Sequence, residues 1–438
     1  MTETECVVVG GGPAGMVLGL LLARAGVQVT VLEKHADFLR DFRGDTVHAS
    51  TLRLLDELGL GPEFAEIPHR LVDTITMEMD AGSVTIGLSR IPGGHKHIAL
   101  VPQWDFLELL ATAAAREPSF TLLRNAEVTG LLTEHGRVVG VRYRDRTEHS
   151  AEHSGEPEEN RGGGSTRTEH ELRAALTVGC DGRDSTVRAA AGVAPRTFGA
   201  PIDVCWFRLP RRDGDPVGNV GRFSVGHLVV MLDRGDYWQV AYVIRKGGDA
   251  NLRAAGVAAL RSEMAGLVPW TSDRLDTIGS WDDVKLLDVK VDRMRRWFSD
   301  GLLLIGDAAH AMSPVGGVGI NLAVADAVAA ARLLAAPLRL SHGVTPARLK
   351  RVQRRRRWPA ILIQAGQRLV HKAVLGPQLA ADPADRPRAT ELPRAVKLLG
   401  RYPLLQAIPG YLVAVGPLPE HAPSWARRRP AATNATAE

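Results

Sequence analysis

The chain begins with a strand–turn–helix–strand unit whose glycines leave few choices of fold. Glu5 to Val9 is a short apolar, β-branched run, and Gly10-Gly11-Gly12-Pro13-Ala14-Gly15 follows it directly. Met16 to Ala25 reads as a helix ending at Gly26, and Gln28 to Leu32 as a second strand closing on Glu33. Gly10, Gly12 and Gly15 thus form a G-x-G-x-x-G fingerprint between a strand and a helix, the context that gives it meaning. Gly10 permits the tight turn, Gly12 removes a side chain where a pyrophosphate approaches, and Gly15 lets helix and strand pack closely. Glu33, eighteen residues after Gly15, can accept hydrogen bonds from ribose hydroxyls, and an acid there favours an adenosine without a 2′-phosphate. A Rossmann-like α/β domain that binds a dinucleotide is expected.

A second glycine-rich turn lies far along the chain. Gly306 to Asn321, GDAAHAMSPVGGVGIN, follows the apolar run Leu302 to Ile305 and precedes a helical segment, Leu322 to Leu334. A strand, a glycine-rich turn and a helix start present backbone N–H groups and a positive dipole end to an anion. Between the two lies Cys180-Asp181-Gly182, where the strand Leu172 to Val178 runs into a short helix that Asp181 can cap.

The intervening segments suggest a second lobe. Strands are expected over Thr74 to Leu88 with Gly82 at a turn, and over 120–123, 127–132 and 137–144. Residues 145–171 are polar and glycine-rich and read as a mobile surface insertion. Phe198 to Ile244 is strand-rich and aromatic, with period-2 runs that suit a sheet covering something on one face. Met231 and Gln239 are the expected pocket-lining residues, although the strand register decides which face each occupies. Asn251 to Leu267 reads as a helix and Lys285 to Val291 as a strand. The expected division is 1–72, 98–195 and 285–335 for the dinucleotide domain, 73–97 and 196–284 for the β-sheet domain, and 336–438 for C-terminal helices and a loose tail.

Composition narrows the functional classes. A net charge of +5 over 438 residues suits small anionic ligands and does not imply nucleic acid, and the basic helix 348–358 reads as a solvated face. Three separated cysteines give neither a disulfide framework nor a zinc site and fit a reducing cytoplasm. No signal peptide and no membrane span are expected. Oligomeric state is not legible.

Gly10 to Gly15 with Glu33, then Cys180-Asp181-Gly182, then Gly306-Asp307-Ala308-Ala309-His310, in that order, resemble the class A flavoprotein aromatic hydroxylases, the para-hydroxybenzoate hydroxylase-like FAD monooxygenases. The resemblance covers most of residues 1 to 330. It implies FAD as cofactor, with Gly10, Gly12, Pro13, Ala14, Gly15, Glu33, Lys34, Arg43, Gln103, Val128, Asp181, Gly182, Gly306 and Asp307 around the adenosine, pyrophosphate and ribityl parts. Pro314, Gly319, Ile320 and Asn321 would line the flavin ring, with Pro314 and Gly319 nearest the chemistry. It further implies NADH or NADPH as a transient donor, O2 as co-substrate, and oxygen transfer from a C4a-hydroperoxyflavin to an aromatic or polyketide-like molecule. There are departures. Val318 stands where para-hydroxybenzoate hydroxylase carries a lysine, the length leaves no room for a thioredoxin-like C-terminal domain, and there is no second nucleotide fingerprint. His48 and His227 are the weak candidates for an acid/base group. Rival readings are a flavin-dependent reductase or dehydrogenase, a halogenase (without the W-x-W-x-I-P motif), and a flavin-binding protein with no catalysis.

Overall fold

The computed structural model describes residues 2–39, 46–79, 82–146, 168–216, 218–224, 226–340, 343–380 and 403–429. Its first sheet has a parallel core: Leu302–Leu304, Glu169–Gly179, Thr2–Val9, Val29–Leu32 and Phe120–Leu123, in that spatial order. The strand Val29–Leu32 is largely apolar and all four of its residues are buried, as expected where both faces of a parallel sheet are covered. The antiparallel strands Ala126–Glu134 and Arg137–Asp145 extend the sheet from the first half of Glu169–Gly179. Register decides what comes next. Val9 pairs with Gly179 and Gly179 with Leu304, so the three motif segments leave the sheet side by side at its carboxyl edge. Ligands of open α/β sheets bind in such a crevice.

Two helices cover one face. Pro13–Arg24 has proline at its first position, where the missing N–H costs nothing. Gly319–Arg339 packs against it, its helical span longer at both ends than 322–334. This second helix is, with the turn before it, long and apolar enough to cross a membrane, but 67% of its apolar 18-residue window is buried inside the protein. Its apolar character is that of a core helix.

The second sheet runs Lys285–Leu287, Ile202–Pro210, Tyr237–Arg245, His227–Asp233, Val220–Ser224, Thr74–Met79, Gly82–Gly87, with neighbours antiparallel except Val220–Ser224 and Thr74–Met79. One face packs Cys205, Phe207, Met231, Trp238 and Tyr242 under the helix Val257–Leu267. The other carries Val204, Trp206, Val230, Ala241 and Val243 and packs with Val315 of the glycine-rich loop. The helix expected over 251–267 is divided into Asp249–Ala255 and Val257–Leu267 by Gly256, whose φ of 88° interrupts it.

Several boundaries differ from expectation. Of the insertion read over 145–171, Asp145 ends one strand and Glu169–Glu171 begin another, and 147–167 lie outside the described residues. The strand expected over 285–291 stops at Leu287. The helix Pro346–Val370 is not a purely solvated basic face. Arg356 is buried and ion-paired within it, and Val352 and Gln353 are also buried. Part of the tail that reads as loose is fastened: residues 403–414 form a helix, Glu420, Ala422 and Ala426 are buried, and Arg24 Nη1 donates to the Ala426 carbonyl at 2.9 Å. Sequence proximity hides this strap, because its anchors lie about 400 residues upstream.

Candidate active site

The three motifs interlock through close backbone approach. Gly10 has φ of 101°, and a Cβ there would lie 2.7 Å from the Cys180 carbonyl oxygen and 2.9 Å from Asp181 Cα. At Gly15 a Cβ would sit 2.0 Å from the Gly10 oxygen, so helix and turn meet only through glycine. Gly306 packs against Ala14, which is buried, and against Ala323 of the long helix. By contrast, a Cβ on Gly12, Gly182 or Gly319 would meet nothing within 4 Å. These three glycines face an open crevice. The helices starting at Pro13 and Gly319 also have no side-chain cap, so their first N–H groups remain available to an anion or a carbonyl.

The polar groups fit that crevice. Glu33 is buried, and its carboxylate accepts from the Gly11 N–H at 2.8 Å and the His35 N–H at 3.1 Å, which aims it at the turn. Arg183 Nε donates to Asp307 Oδ2 at 3.1 Å and so joins the second motif to the third, while Arg183 Nη1 is buried without a partner. Ser185 rather than Asp181 is the N-cap of Thr186–Ala190, its Oγ accepting from the Arg188 N–H at 2.9 Å, and Asp181 supports it by accepting from Ser185 Oγ at 2.6 Å and Val187 N–H at 3.0 Å. Burial raises its carboxyl above the ordinary range although those bonds oppose the shift. Lys34 is exposed, Gln103 is the first residue of the helix Gln103–Ala115, Val128 is buried beside Val9 and Leu32, and Pro13 opens its helix. Arg43 lies outside the described residues.

Around the start of Gly319–Arg339, Thr46 Oγ1 donates to the Gly317 carbonyl at 3.0 Å, and Asn321 Oδ1 accepts from the His48 N–H at 3.0 Å and Thr51 Oγ1 at 2.6 Å. Asn321 Nδ2 is left buried without a partner; Ile320 is buried in the core and Pro314 precedes the turn. His48, a weak candidate from sequence, is fully buried. Its Nδ1 lies 2.6 Å from the Val413 carbonyl, which can only accept, so Nδ1 carries the proton and Nε2 is a bare acceptor. Nε2 has no partner and lies 3.4 Å from where a Cβ on Gly317 would stand. Burial lowers the imidazole pKa to about 4. His227, the other candidate, contacts Tyr242 at 3.2 Å, and Tyr242 belongs to the opposite sheet face.

Beneath the loop lies a charged network that composition gave no hint of. Asp326, fully buried on the long helix, accepts from the Gly306 N–H at 3.2 Å and from Arg356 Nε at 3.0 Å, and His310 Nε2 lies 2.6 Å away. Burial pushes this carboxyl up, but His310 and Arg356 outweigh it and the net shift is downward. Glu420 of the strap pairs with Arg355 at 2.5 Å and Arg356 at 3.6 Å. The network ties the Gly306 turn to both C-terminal elements.

Met231 is a correction. It is buried under the helix Val257–Leu267, on the face turned away from Val315, because its strand sits one residue out of the register a pocket role requires. Gln239 alternates onto the Ala241/Val243 face, but its Oε1 accepts from Arg234 Nε at 2.8 Å and it is buried. Trp206, which the sequence did not single out as a pocket residue, shares a cluster with Val315, and its buried indole N–H has no partner among the described residues.

Known proteins settle the family. A model described as FAD binding domain matches residues 3–358. A 6-methylpretetramide 4-monooxygenase from Streptomyces rimosus is 34% identical over 340 residues, covering 77% of this chain and 76% of the relative. The chain belongs to the class A FAD-dependent monooxygenases. A 12-dehydrotetracycline 5-monooxygenase/anhydrotetracycline 6-monooxygenase from Streptomyces rimosus subsp. rimosus is 29% identical over 74% of this chain, which spans 61% of that relative's length. In fold, a p-nitrophenol 4-monooxygenase from Pseudomonas putida matches at TM-score 0.73 and 19% identity, over 94% of this chain and 97% of that one. The fold class, FAD and the monooxygenase reading expected from the motifs stand.

Proposed function

We propose that this protein uses NAD(P)H and O2 to hydroxylate a polycyclic, polyketide-like aromatic. The observation that carries the reading is the crevice at the carboxyl edge of the parallel sheet, where Gly12, Gly182 and Gly319 present bare backbone. Bound FAD supplies the reduction by the donor, the activation of O2 and the transfer of one oxygen atom to the substrate. In this proposal residues 1–72, 98–195 and 285–335 hold the cofactor, and 73–97 with 196–284 cover the substrate.

The chain's own tasks follow from its groups. Glu33 and the N-terminus of Pro13–Arg24 take the ribose and pyrophosphate, and Asp307 takes the ribityl hydroxyls. The N–H groups opening Gly319–Arg339 stabilise negative charge at the ring's pyrimidine edge. Apolar Val204, Val230 and Val243 keep water from the reacting centre, and the unpaired Trp206 indole N–H orients an oxygen of the substrate. His48 Nε2, neutral throughout the physiological range, accepts a hydrogen bond from a ring N–H or a phenolic hydroxyl. The similarity to monooxygenases named for tetracycline precursors supports a fused-ring substrate over a single phenol.

Purified protein should be yellow, and fused-ring phenols should stimulate NAD(P)H and O2 consumption and give a product heavier by one oxygen. Colourless protein that takes up no FAD would refute the reading, whereas turnover without O2 would assign a reductase.

A further inference from the structure

A group of arginines outside the cradle has no carboxylate partner among the described residues. Arg196, Arg293 and Arg368 place their guanidinium carbons 5.2, 5.0 and 5.1 Å from the ring centroid of one residue, Phe198. Arg196 and Arg293 are directly paired across two antiparallel strands, an arrangement of like charges that destabilises a sheet. Arg357 adds a fourth charge. Burial, followed by Arg357, Arg196 and Arg368, lowers the pKa of Arg293. Among the described residues none of the four forms an ion pair with a carboxylate; Arg293 Nη1 donates only to Gln364 Oε1, at 2.7 Å. Stacking on Phe198 explains one or two of these positions. It does not explain three guanidinium groups converging on one half-buried ring.

The cluster's neighbours give it a purpose. Arg293 stands beside Asp292, whose carboxylate accepts the Ala311 N–H of the flavin loop at 3.2 Å. Gln364, which holds Arg293, also donates to the Ala311 carbonyl at 2.9 Å. Gln367, adjacent to Arg368, donates to the Ser313 and Val315 carbonyls at 2.8 and 2.9 Å. Arg196 follows the Asp181-Gly182 helix, Thr186–Ala190. The cationic cluster therefore lies one side chain behind the 311–315 segment of the glycine-rich loop.

We infer that Arg196, Arg293 and Arg368 form an oxyanion site for a phosphate group of the pyridine dinucleotide donor. Several guanidinium forks match the oxygens of a phosphate, and a donor held here would lie beside the loop that follows Gly306. The donor's phosphates come in two kinds: the pyrophosphate common to NADH and NADPH, and the 2′-phosphate of NADPH alone. The identification of the ligand as the electron donor rests on the monooxygenase reading.

The test is calorimetric titration of the FAD-loaded protein with NADP+, NAD+ and inorganic pyrophosphate, for the parent and for the exposed pair Arg196→Ala/Arg368→Ala, with Arg293→Gln as a second variant. Dissociation constants should rise on the order of tenfold or more, and added salt should weaken parent binding more than variant binding. A rise for NADP+ alone assigns the 2′-phosphate, and a rise for both dinucleotides assigns the pyrophosphate. Unchanged dinucleotide affinity in variants with full flavin content overturns the site while leaving the monooxygenase reading intact. Pyrophosphate binding that the variants weaken, without dinucleotide binding, overturns the donor assignment. A parent that takes up no FAD counts against the proposed function, and pyrophosphate titration of that protein still reads the arginine site.

Discussion

Replacing His48 by asparagine should flatten the stability of this protein between about pH 6.5 and pH 4. The asparagine amide keeps a donor for the Val413 carbonyl but cannot titrate. In the parent, burial holds the folded-state pKa near 4 against 6.5 in the unfolded chain. Between those values the unfolded chain binds a proton and the folded one does not, so stability falls as pH falls through the window and is fully present above it. For a fully buried group, the drop from 6.5 to about 4 is worth about 3 kcal/mol. Urea denaturation followed by tryptophan fluorescence at half-unit pH steps, with and without added FAD, reads this directly. The parent should lose roughly 1.4 kcal/mol more per pH unit than the variant across the window. Equal slopes in the two proteins would refute the assignment of a buried, neutral His48 held by Val413. Histidine ring nitrogen shifts should report the Nδ1–H tautomer.

Other perturbations address the cradle and its support. Asp307→Ala should weaken FAD retention on the order of tenfold, measured by fluorescence recovery on dialysis, because the proposed ribityl partner is lost and Arg183 is left unpaired. Gly319→Val should abolish flavin content without unfolding the apoprotein, since its Cβ enters open crevice rather than protein, and circular dichroism would separate the two effects. Gly15→Ala should instead destabilise the whole domain, because its Cβ would stand 2.0 Å from the Gly10 oxygen. Arg356→Ala should cost roughly 3–5 kcal/mol in the same urea assay by leaving Asp326 short of a buried partner, with loss of flavin following through the Gly306 turn.

The nucleotide fold and its FAD were legible in the sequence, because their constraints are local. A glycine that must turn, a glycine that must admit a phosphate and an acid after the second strand sit at spacings set by one strand–helix–strand unit. The same holds for the strand and helix flanking Gly306 to Asn321, where apolar runs abut a glycine-rich turn. What escaped was whatever depends on residues brought together from afar. Met231 and Trp206 both sit in alternating strands, and no pattern within those strands says which face looks toward Val315. His48 reads as an ordinary histidine until a carbonyl 365 residues later fixes its tautomer. Arg356 lies in RVQRRRRW among arginines that are mostly exposed; one turn of helix phase, meeting Asp326 and Glu420, makes it a buried ion. Local chemistry thus wrote the nucleotide fold and its cofactor into the chain. Long-range packing chose the pocket face, the buried charges and the strap, because burial and register are properties of assembled surfaces rather than of neighbouring residues.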